Sequence, residues 1–315
     1  MREIGDIVRQ FEQRKRSAVA GFIEPGRGEP YALATLVRAH GSSYRRPGAR
    51  MMVAADGGVV GSLSGGCLEE EVIARAQQVL RTGEPAWMEF DTRRRFGCHG
   101  ALEIFVERAL PDFFAELAES YHARRPAVLV TCFAREGAEV GTRFTNSEEN
   151  DAPDTFTQRI VPPVQLLVIG EGPDSGALRG LGGTLGWSVV QLENATELRS
   201  EYDEWTAAVV KTHNYGRDCA ALRALLPLGL HYIGLLGPRR RRDQLLGDIL
   251  DSGVAVDGNI FGPAGLDLGG DAPEAIALSI IAEIQAVFAG GSGLPLRERR
   301  APIHAVAARD AALAF

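Results

Sequence analysis

The sequence predicts an α/β protein, with an N-terminal mixed α/β domain followed by a Rossmann-like domain that has a doubly wound parallel sheet. Its 315 residues are enough for two domains that each bury a core. From residue 164 onward, apolar strand-like runs alternate with helical segments, a pattern typical of parallel sheets. Before that point, Asp56-Gly57-Gly58 between two apolar runs predicts an antiparallel hairpin.

Composition excludes several classes of function. The net charge is −7, so no basic excess predicts binding to nucleic acid or to a membrane surface. No apolar run reaches the roughly 18 residues expected of a membrane span. The charged start Met1-Arg2-Glu3-Ile4 is unlike a signal peptide. We therefore expect a cytoplasmic protein.

Hydrophobic periodicity predicts the elements of the first domain. The helices are expected at residues 3–16, 68–81 and 112–121, and Gly83 stops the second of them. The strands are expected at residues 31–40, 50–55, 59–63, 87–90, 102–107, 127–133 and 138–144.

A change in composition predicts the domain boundary. Residues 147–163 are acidic and polar and end in two prolines, which is typical of a linker. The domains are therefore predicted at 1–146 and 164–300, with a tail at 301–315. Within the second domain, strands are expected at 164–169, 187–192, 207–210 and 232–236. Asp271 and Glu274 are expected to form a capping box for the last helix.

Two glycine-cysteine turns in the first domain are candidate functional sites. Ser64-Gly65-Gly66-Cys67 precedes a predicted helix, and Gly97-Cys98-His99-Gly100 precedes a strand. A glycine turn before a helix stabilises an anion or a thiolate with its N–H groups and the helix dipole. Such a thiol can bind a soft metal. The alternative is that both cysteines are small residues at tight turns.

The second domain has candidate phosphate-binding turns. Gly170, Gly172 and Gly176 follow a predicted strand and precede a helix, and Glu193 comes about 20 residues later, where an acid can bind a ribose hydroxyl. Strict dinucleotide spacing would require glycine at Ser175, so this is a variant. The alternative is a turn that binds nothing.

Two further turns lie at the same predicted sheet edge. Gly237 precedes a run of four arginines, of which Arg239 and Arg240 are the candidates to reach a ligand. Lys211-Thr212-His213 ends another strand, where ligands of open α/β sheets bind. A charged run is more often a solvated face, and a lone histidine is more often structural.

Long motifs identify a family. The sequence resembles the XdhC/CoxF-type accessory proteins of molybdenum hydroxylases over nearly the whole chain. The matching segments in the first domain are GSSYRRPGARM, GSLSGGCLEEEV and GCHGALEIFVE, and those in the second are IGEGPDSGAL, KTHNYGRD, YIGLLGPRRRR and GPAGLDLGGDAPEAIALSIIAEI.

The resemblance implies a binding protein rather than an enzyme. It implies a chaperone that binds the molybdenum cofactor, protects it while a cysteine desulfurase supplies the sulfido ligand, and delivers it to an apo-hydroxylase. A homodimer is also expected. Cys67 and Cys98 are candidate thiols for molybdenum, and Arg45 is a further anion contact in the first domain. The candidate cofactor-binding residues are Gly41, Ser42, Ser43, Arg46, Arg50, Ser64, Gly65, Gly66, Gly170, Gly172, Asp174, Glu193, His213, Gly237, Arg239 and Arg240.

The chain departs from the family pattern at His99, Glu171, Glu193 and Lys211. These changes lie at the cysteine turn and at the ligand edge of the second domain, and they argue against ordinary dinucleotide binding there. Two alternatives remain at this point. One is an NAD(P)-dependent oxidoreductase with His213 as its base, and the other is a nucleotide-sensing regulatory protein. Whether the bound cofactor carries a nucleotide is left open by the sequence.

Overall fold

The structure is a computed structural model, and it describes residues 2–20, 30–41, 43–91, 100–134, 140–147, 152–256 and 258–298, without the side chains of 18–20. The chain forms two compact units, Met1–Pro162 and Pro163–Phe315. No helix in the described ranges is long and apolar enough to cross a membrane.

The first unit is built on antiparallel sheets. A five-stranded sheet has the order β3-β2-β1-β5-β4, and a three-stranded sheet has the order β7-β6-β8. The elements in chain order are α1 (Arg2–Ala20), β1 (Tyr31–Gly41), β2 (Arg50–Val53), β3 (Val59–Gly61), α2 (Glu69–Thr82), β4 (Ala86–Asp91), β5 (Gly100–Ala109), α3 (Pro111–His122), β6 (Ala127–Cys132), β7 (Gly141–Thr145) and β8 (Thr155–Ile160).

The large sheet is covered on both faces, because alternate residues of its strands point to opposite sides. On one face, Ala34 and Met51 pack with Val72 and Ala76 of α2. On the other face, apolar side chains of β1 and β2 pack with α1 and α3, namely Leu33, Met52, Ile7, Phe11 and Phe114. The first unit therefore contains three layers, in which helices cover both faces of the large sheet. Its amphipathic helices predict this arrangement.

The linker prediction is wrong for part of its length. Thr155–Ile160 forms β8, which pairs antiparallel with β6 from Ala127↔Ile160 to Cys132↔Thr155. These residues are rich in β-branched and aromatic side chains, which favour strands. The acidic residues that precede them give residues 147–163 as a whole the composition of a linker. The first unit therefore extends to Pro162 rather than to residue 146.

The second unit confirms the predicted doubly wound parallel sheet. Its strands are arranged β10-β9-β11-β12-β13 and pair in parallel. The elements in chain order are β9 (Gln165–Ile169), α4 (Ser175–Thr184), β10 (Ser188–Leu192), β11 (Thr206–Val210), α5 (Tyr215–Leu225), β12 (Tyr232–Leu235), α6 (Arg239–Asp251), β13 (Ile260–Phe261) and α7 (Pro273–Phe288).

The strand order locates the expected ligand edge. Counted within the unit, it is 2-1-3-4-5, so the order reverses between β9 and β11. In doubly wound sheets, ligands bind beyond the carboxyl ends of the strands at this reversal. The loops after Ile169 and after Val210 both lie there.

The predicted capping box of the last helix is wrong. α7 begins at Pro273, its N-cap residue is Ala272, and no side chain caps it. Asp271 therefore lies one residue too early to accept from the first turn. Proline at the first helical position agrees with the prediction.

Candidate functional site

The loop before α2, residues 62–68, is held together by hydrogen bonds to the carboxylate of Glu69. We call it the Cys67 loop. Glu69 Oε1 accepts hydrogen bonds from the backbone N–H of Ser64 at 2.9 Å and of Leu63 at 3.2 Å. Glu69 Oε2 accepts from the Ser64 hydroxyl at 2.7 Å and from the Leu68 N–H at 3.1 Å. A carboxylate at a helix N-terminus is also favoured by the helix dipole.

These hydrogen bonds determine how Glu69 ionises. Burial by itself would raise the pKa of Glu69, but the bonds from the Ser64 hydroxyl and from backbone N–H groups lower it to about 2. The side chain is therefore a carboxylate at neutral pH. A negative group of the protein itself thus lies at the Cys67 loop, where it accepts from Leu63, Ser64 and Leu68. The cofactor-binding roles of Ser64, Gly65 and Gly66 stay predictions.

Two further backbone donors of the Cys67 loop bind Ser64. Its hydroxyl oxygen accepts from the N–H groups of Gly66 at 3.1 Å and of Cys67 at 3.2 Å. The Cys67 side chain lies at the surface, with Sγ 3.6 Å from the Ser64 hydroxyl oxygen. A fixed backbone therefore presents an exposed thiol.

Metal binding by this thiol has no support from a ligand cluster. Among the residues that the structure describes, no three His, Cys, Asp or Glu side chains come together as a metal site. Two of the predicted site residues, Ser42 and Cys98, lie outside those residues, as does His99. Whether Cys98 is near Cys67 therefore stays a prediction.

The arginines predicted as anion contacts in the first unit are largely used by the protein. Arg50 is 1% exposed, and its Nη1 donates to the side chain of Gln158 and to the Gly48 carbonyl. Burial lowers the pKa of Arg50 to about 10. Arg45 forms an ion pair with Glu3. β2 directs the Arg50 side chain into the interior, and its role as an anion contact stays a prediction.

The other predicted contacts of this region lie nearer the surface. Gly41 ends β1 with a φ of 74° and is exposed. Arg46 is exposed, and the partly buried Ser43 donates its hydroxyl hydrogen to the Arg45 carbonyl. The candidate roles of Gly41, Ser43 and Arg46 stay predictions.

A buried lysine of the protein lies against the Gly170 loop of the second unit, which consists of residues 170–174. Lys211 is buried at the end of β11, and its Nζ lies 2.9 Å from Asp174 Oδ1 and donates to the Ser175 hydroxyl at 2.9 Å. Asp174 is itself 4% exposed. Asp174 therefore belongs to a buried ion pair with Lys211, and its cofactor-binding role stays a prediction.

Contacts within the protein explain why two of the glycines are needed. A Cβ on Gly172 would lie 2.9 Å from both Asp174 Oδ1 and Lys211 Nζ. Gly170 has a φ of +101°, and a Cβ there would lie 2.6 Å from Thr212 Cα. A Cβ on Gly176 would meet nothing. The glycine pattern is thus explained by contacts within the protein and does not itself require a phosphate.

Asp218 organises the neighbouring loop after β11. Its buried carboxylate accepts from the Thr212 N–H at 3.1 Å and from the Thr212 hydroxyl at 2.6 Å. Arg241 Nη2 donates to its other oxygen at 2.6 Å. His213 follows with a φ of 55° and an exposed side chain. Since left-handed φ values in non-glycine residues often occur at functional loops, His213 keeps its place as a candidate.

The arginine run at the start of α6 is divided by its contacts. Arg241 pairs with Asp218, and Arg242 donates to the Gly262 carbonyl and pairs with Asp243. Arg239 and Arg240 are exposed in the first turn of α6, after Gly237, whose φ is +140°. The two arginines that the sequence selected are therefore those that face solvent.

Glu193 lies at the carboxyl end of β10, as predicted, and is exposed. Its backbone N–H donates to Glu197 at 2.8 Å, and its carbonyl accepts from Arg217. The backbone is held in place, and the carboxylate faces solvent.

Sequence reasoning missed Glu69 and Asp218. Glu69 lay in a run of three acids before a helical pattern, and any of the three could have been the helix-start residue. Asp218 lies in a stretch with helical periodicity, and nothing in that stretch marks the acid as buried. The sequence pattern that could have indicated this role is an acidic residue about six positions after a polar loop residue.

The fold and these two loops define a two-unit protein whose second unit has the Rossmann-like architecture of nucleotide-binding proteins. Residues 26–91 match the family model of the XdhC and CoxI family, and residues 166–284 match that of the XdhC Rossmann domain. Together the two matches span more than half of the chain. The chain belongs to this family, which confirms the predicted resemblance.

Relatives and a solved structure agree with this assignment. The chain is 29% identical to a probable xanthine dehydrogenase subunit of Bacillus subtilis, over 81% of this chain and 92% of that protein. It is 23% identical to the molybdenum cofactor insertion chaperone PaoD of Escherichia coli, over 82% and 84% of the two chains. The crystal structure of a xanthine dehydrogenase from Bacillus halodurans has the same fold, with a TM-score of 0.74, 23% identity and coverage of 94% and 97%.

Proposed function

We propose that this protein is a chaperone for the molybdenum cofactor that serves a molybdenum hydroxylase of the xanthine dehydrogenase or CO dehydrogenase type. Family membership supports this role, and a relative is named a molybdenum cofactor insertion chaperone. The cofactor is the cargo. The protein receives it, protects it during sulfuration and passes it to the apo-hydroxylase.

The observation that carries the proposal is the exposed thiol of Cys67 on a loop held by Glu69. A cargo with a soft molybdenum centre is bound best by a soft ligand such as a thiolate. A loop whose backbone donors are occupied by Glu69 and Ser64 keeps one geometry, so the thiol is presented without being buried. This arrangement suits a carrier that must release its cargo.

The second unit offers a place for the phosphate of the cargo. Arg239 and Arg240 are exposed in the first turn of α6, where backbone N–H groups and the helix dipole also favour an anion. In the Gly170 loop, by contrast, the charge of Asp174 is balanced by Lys211, and the exposed Glu171 adds negative charge. We propose that phosphate binds at α6 and not at the Gly170 loop.

The test is molybdenum and pterin analysis of protein purified from cells that make the cofactor. We expect wild-type protein to co-purify with molybdenum, and Cys67→Ala to lose most of it. Cys219→Ala, a cysteine of the α5 helix, is the matched control and should keep wild-type content. Equal molybdenum in Cys67→Ala and wild type would reject the thiol role.

The phosphate site has its own experiment. Changing Arg239 and Arg240 together to alanine should weaken cofactor binding and reduce its dependence on salt, because two phosphate contacts are removed. Arg223→Ala, an exposed arginine on α5, is the control. Unchanged binding in the double variant would exclude α6 as the phosphate site.

An NAD(P)-dependent oxidoreductase is disfavoured on electrostatic grounds. In dinucleotide-binding domains, the pyrophosphate lies against the glycine loop after the first strand, and here that loop contains the exposed Glu171 carboxylate. We expect no stoichiometric binding of NADH or NADPH by fluorescence titration. Tight binding of NADH or NADPH would favour the oxidoreductase. Binding of another nucleotide by protein that contains no molybdenum would favour the nucleotide-sensing regulatory protein. Partnership with a cysteine desulfurase and a homodimeric state remain predictions of the family resemblance.

A further inference from the structure

The first unit contains a cavity of about 320 Å³ that the loops above do not use. It is lined by β1, β4 and β5 and by the residues Phe133 and Asp154, which lie beside the small sheet. Its size is at the lower end of the range for small-molecule sites. A single bicyclic ring system therefore suits it better than a whole dinucleotide.

A β-bulge directs charge into this cavity. Leu36 pairs with Ile104, but Arg38 pairs with Glu103, so Val37 is an extra residue in β1. Val37 packs against Phe133, and the Arg38 guanidinium also lies over the Phe133 ring at 4.7 Å. Two consecutive residues thus share one face of the sheet, which ordinary strand alternation forbids. Bulges are frequent where a strand re-aims a functional side chain.

The bulge builds a row of charged residues across three strands. Arg38 lies opposite Glu103, and Glu103 lies opposite Glu89. Arg38 Nη1 donates to Glu103 at 3.1 Å, and its Nη2 donates to Asp154 at 3.0 Å. Two carboxylates directly opposite each other on a ladder are unfavourable. Such a violation of a local rule is expected at functional sites.

The donors and acceptors of this row define a ligand. Arg38 supplies donors, and Glu103 beside it supplies carboxylate oxygens with further lone pairs. The edge of a 2-amino-4-oxopyrimidine ring presents an acceptor oxygen, a ring N–H and an amino group in that order, which matches an arginine followed by a carboxylate. Trp87, on the same face, offers a surface for a planar ring.

The charge of the residues that line the cavity excludes the phosphate end of the cargo. Among the residues that the structure describes, one arginine and three carboxylates line the cavity, the latter being Glu89, Glu103 and Asp154. This excess of negative charge repels a phosphate, so a phosphorylated ligand would enter with its ring rather than with its phosphate. The cavity and the arginines of α6 thus select different chemical groups.

We propose that this cavity binds the pterin ring of the cargo, with Glu103 accepting from the amino group and ring N–H, and Arg38 donating to the ring oxygen. The identification of the ring as a pterin rests on the proposed function, since guanine carries the same donor and acceptor edge.

The experiment is calorimetric titration of the full chain, purified from cells that cannot make the cofactor, with neopterin, guanosine and inorganic phosphate. Neopterin has neither metal nor phosphate, so its binding does not depend on Cys67 or on Arg239. We expect wild-type protein to bind neopterin more tightly than guanosine, and inorganic phosphate not to compete. Glu103→Gln should weaken neopterin binding at least tenfold. Glu70→Gln, the same charge change at an exposed position of α2, should bind as wild type does.

The outcomes separate this inference from the proposed function. No neopterin binding, or equal binding by Glu103→Gln and Glu70→Gln, overturns the pterin site, and so does a preference for guanosine. If Glu103→Gln is misfolded by circular dichroism, Arg38→Lys, which removes the guanidinium donors of the other proposed ring contact, replaces it with the same expected loss and the same reversal. Neopterin binding by a protein that never acquires molybdenum would overturn the chaperone role and support the site.

Discussion

The Cys67 loop and the Gly170 loop are alike in sequence and opposite in electrostatics. Both are glycine-rich and lead into a helix, and in both the chain places its own charged side chain at the turn. In the first unit the group is the Glu69 carboxylate, which accepts from the loop. In the second it is the Lys211 ammonium, which lies under the loop and pairs with Asp174.

The difference shows how a glycine-rich turn before a helix can be used without binding a phosphate. At the Cys67 loop the internal anion occupies the donors, and the exposed thiol is the group left for a ligand. At the Gly170 loop the internal cation is buried, and the surface of the loop is left acidic by Glu171. A glycine-rich turn before a helix therefore predicts a position for an anion, but that anion can belong to the protein.

The largest effect is expected from Lys211→Met. This change leaves the Asp174 carboxylate buried without its partner, which costs about 3–5 kcal/mol. Urea denaturation should show the loss. Replacing Asp174 by leucine in the same chain should recover much of it, because a buried ion pair is often replaceable by apolar groups. A loss below about 1 kcal/mol would mean that the pair is not buried as described.

The next effect is expected from Glu69→Gln. An amide can no longer accept from all the donors of the Cys67 loop, and we expect a loss of about 1–3 kcal/mol. Hydrogen exchange at the Ser64 and Leu63 amides should become faster. Glu70→Gln removes the same charge one residue later on α2, and it should leave these amides as protected as in the wild type. Equal exchange in the two variants would contradict the role of Glu69.

The same carboxylate predicts a pH dependence. Because the pKa of Glu69 is lowered from 4.5 to about 2, its stabilisation is complete above about pH 4.5 and is lost as the pH falls towards 2. Protection of the Ser64 amide should fall over this interval in the wild type. In Glu69→Gln it should not change there, and a shared transition in both proteins would assign the titration to another group.

A smaller and paired effect is expected from two glycines of the second unit. Gly172→Ala places a methyl group 2.9 Å from Lys211 Nζ and Asp174 Oδ1, and overpacking of this kind costs about 1–3 kcal/mol. Gly176→Ala, within α4, meets no atom within 4 Å. Alanine should stabilise that helix by about 0.5–1 kcal/mol. Thermal unfolding of the two variants should move in opposite directions, and a shift of the same sign would contradict the described ion pair.

Local patterns predicted most of the fold because the features were local. Gly83 was expected to end a helix, and it caps α2 with a φ of 77°. The parallel strands of the second unit were predicted by their continuous apolar runs, which suit burial on both faces. The ligand edge followed from chain order alone.

The features that sequence could not predict depend on partners distant in the chain. Arg50 is buried, and Gln158, which lies 108 residues away in the chain, accepts a hydrogen bond from it. Nothing near Arg50 distinguishes it from the surface arginines 45 and 46. The Lys211 ammonium likewise donates to Ser175, which lies 36 residues away in the chain. Spacing can select residue types for a site, but only packing decides whether they face the ligand or the core.

β8 has a consequence for how the first unit is made. Its residues come last in the unit, yet β8 pairs along the length of β6 and supplies the Gln158 side chain to Arg50. On the ribosome, the small sheet therefore stays incomplete, with an unpaired strand edge on β6, until residue 160 has emerged. A truncated gene product ending at residue 146 would expose this edge and be prone to aggregation. The shortest version suited to separate expression ends at Pro162.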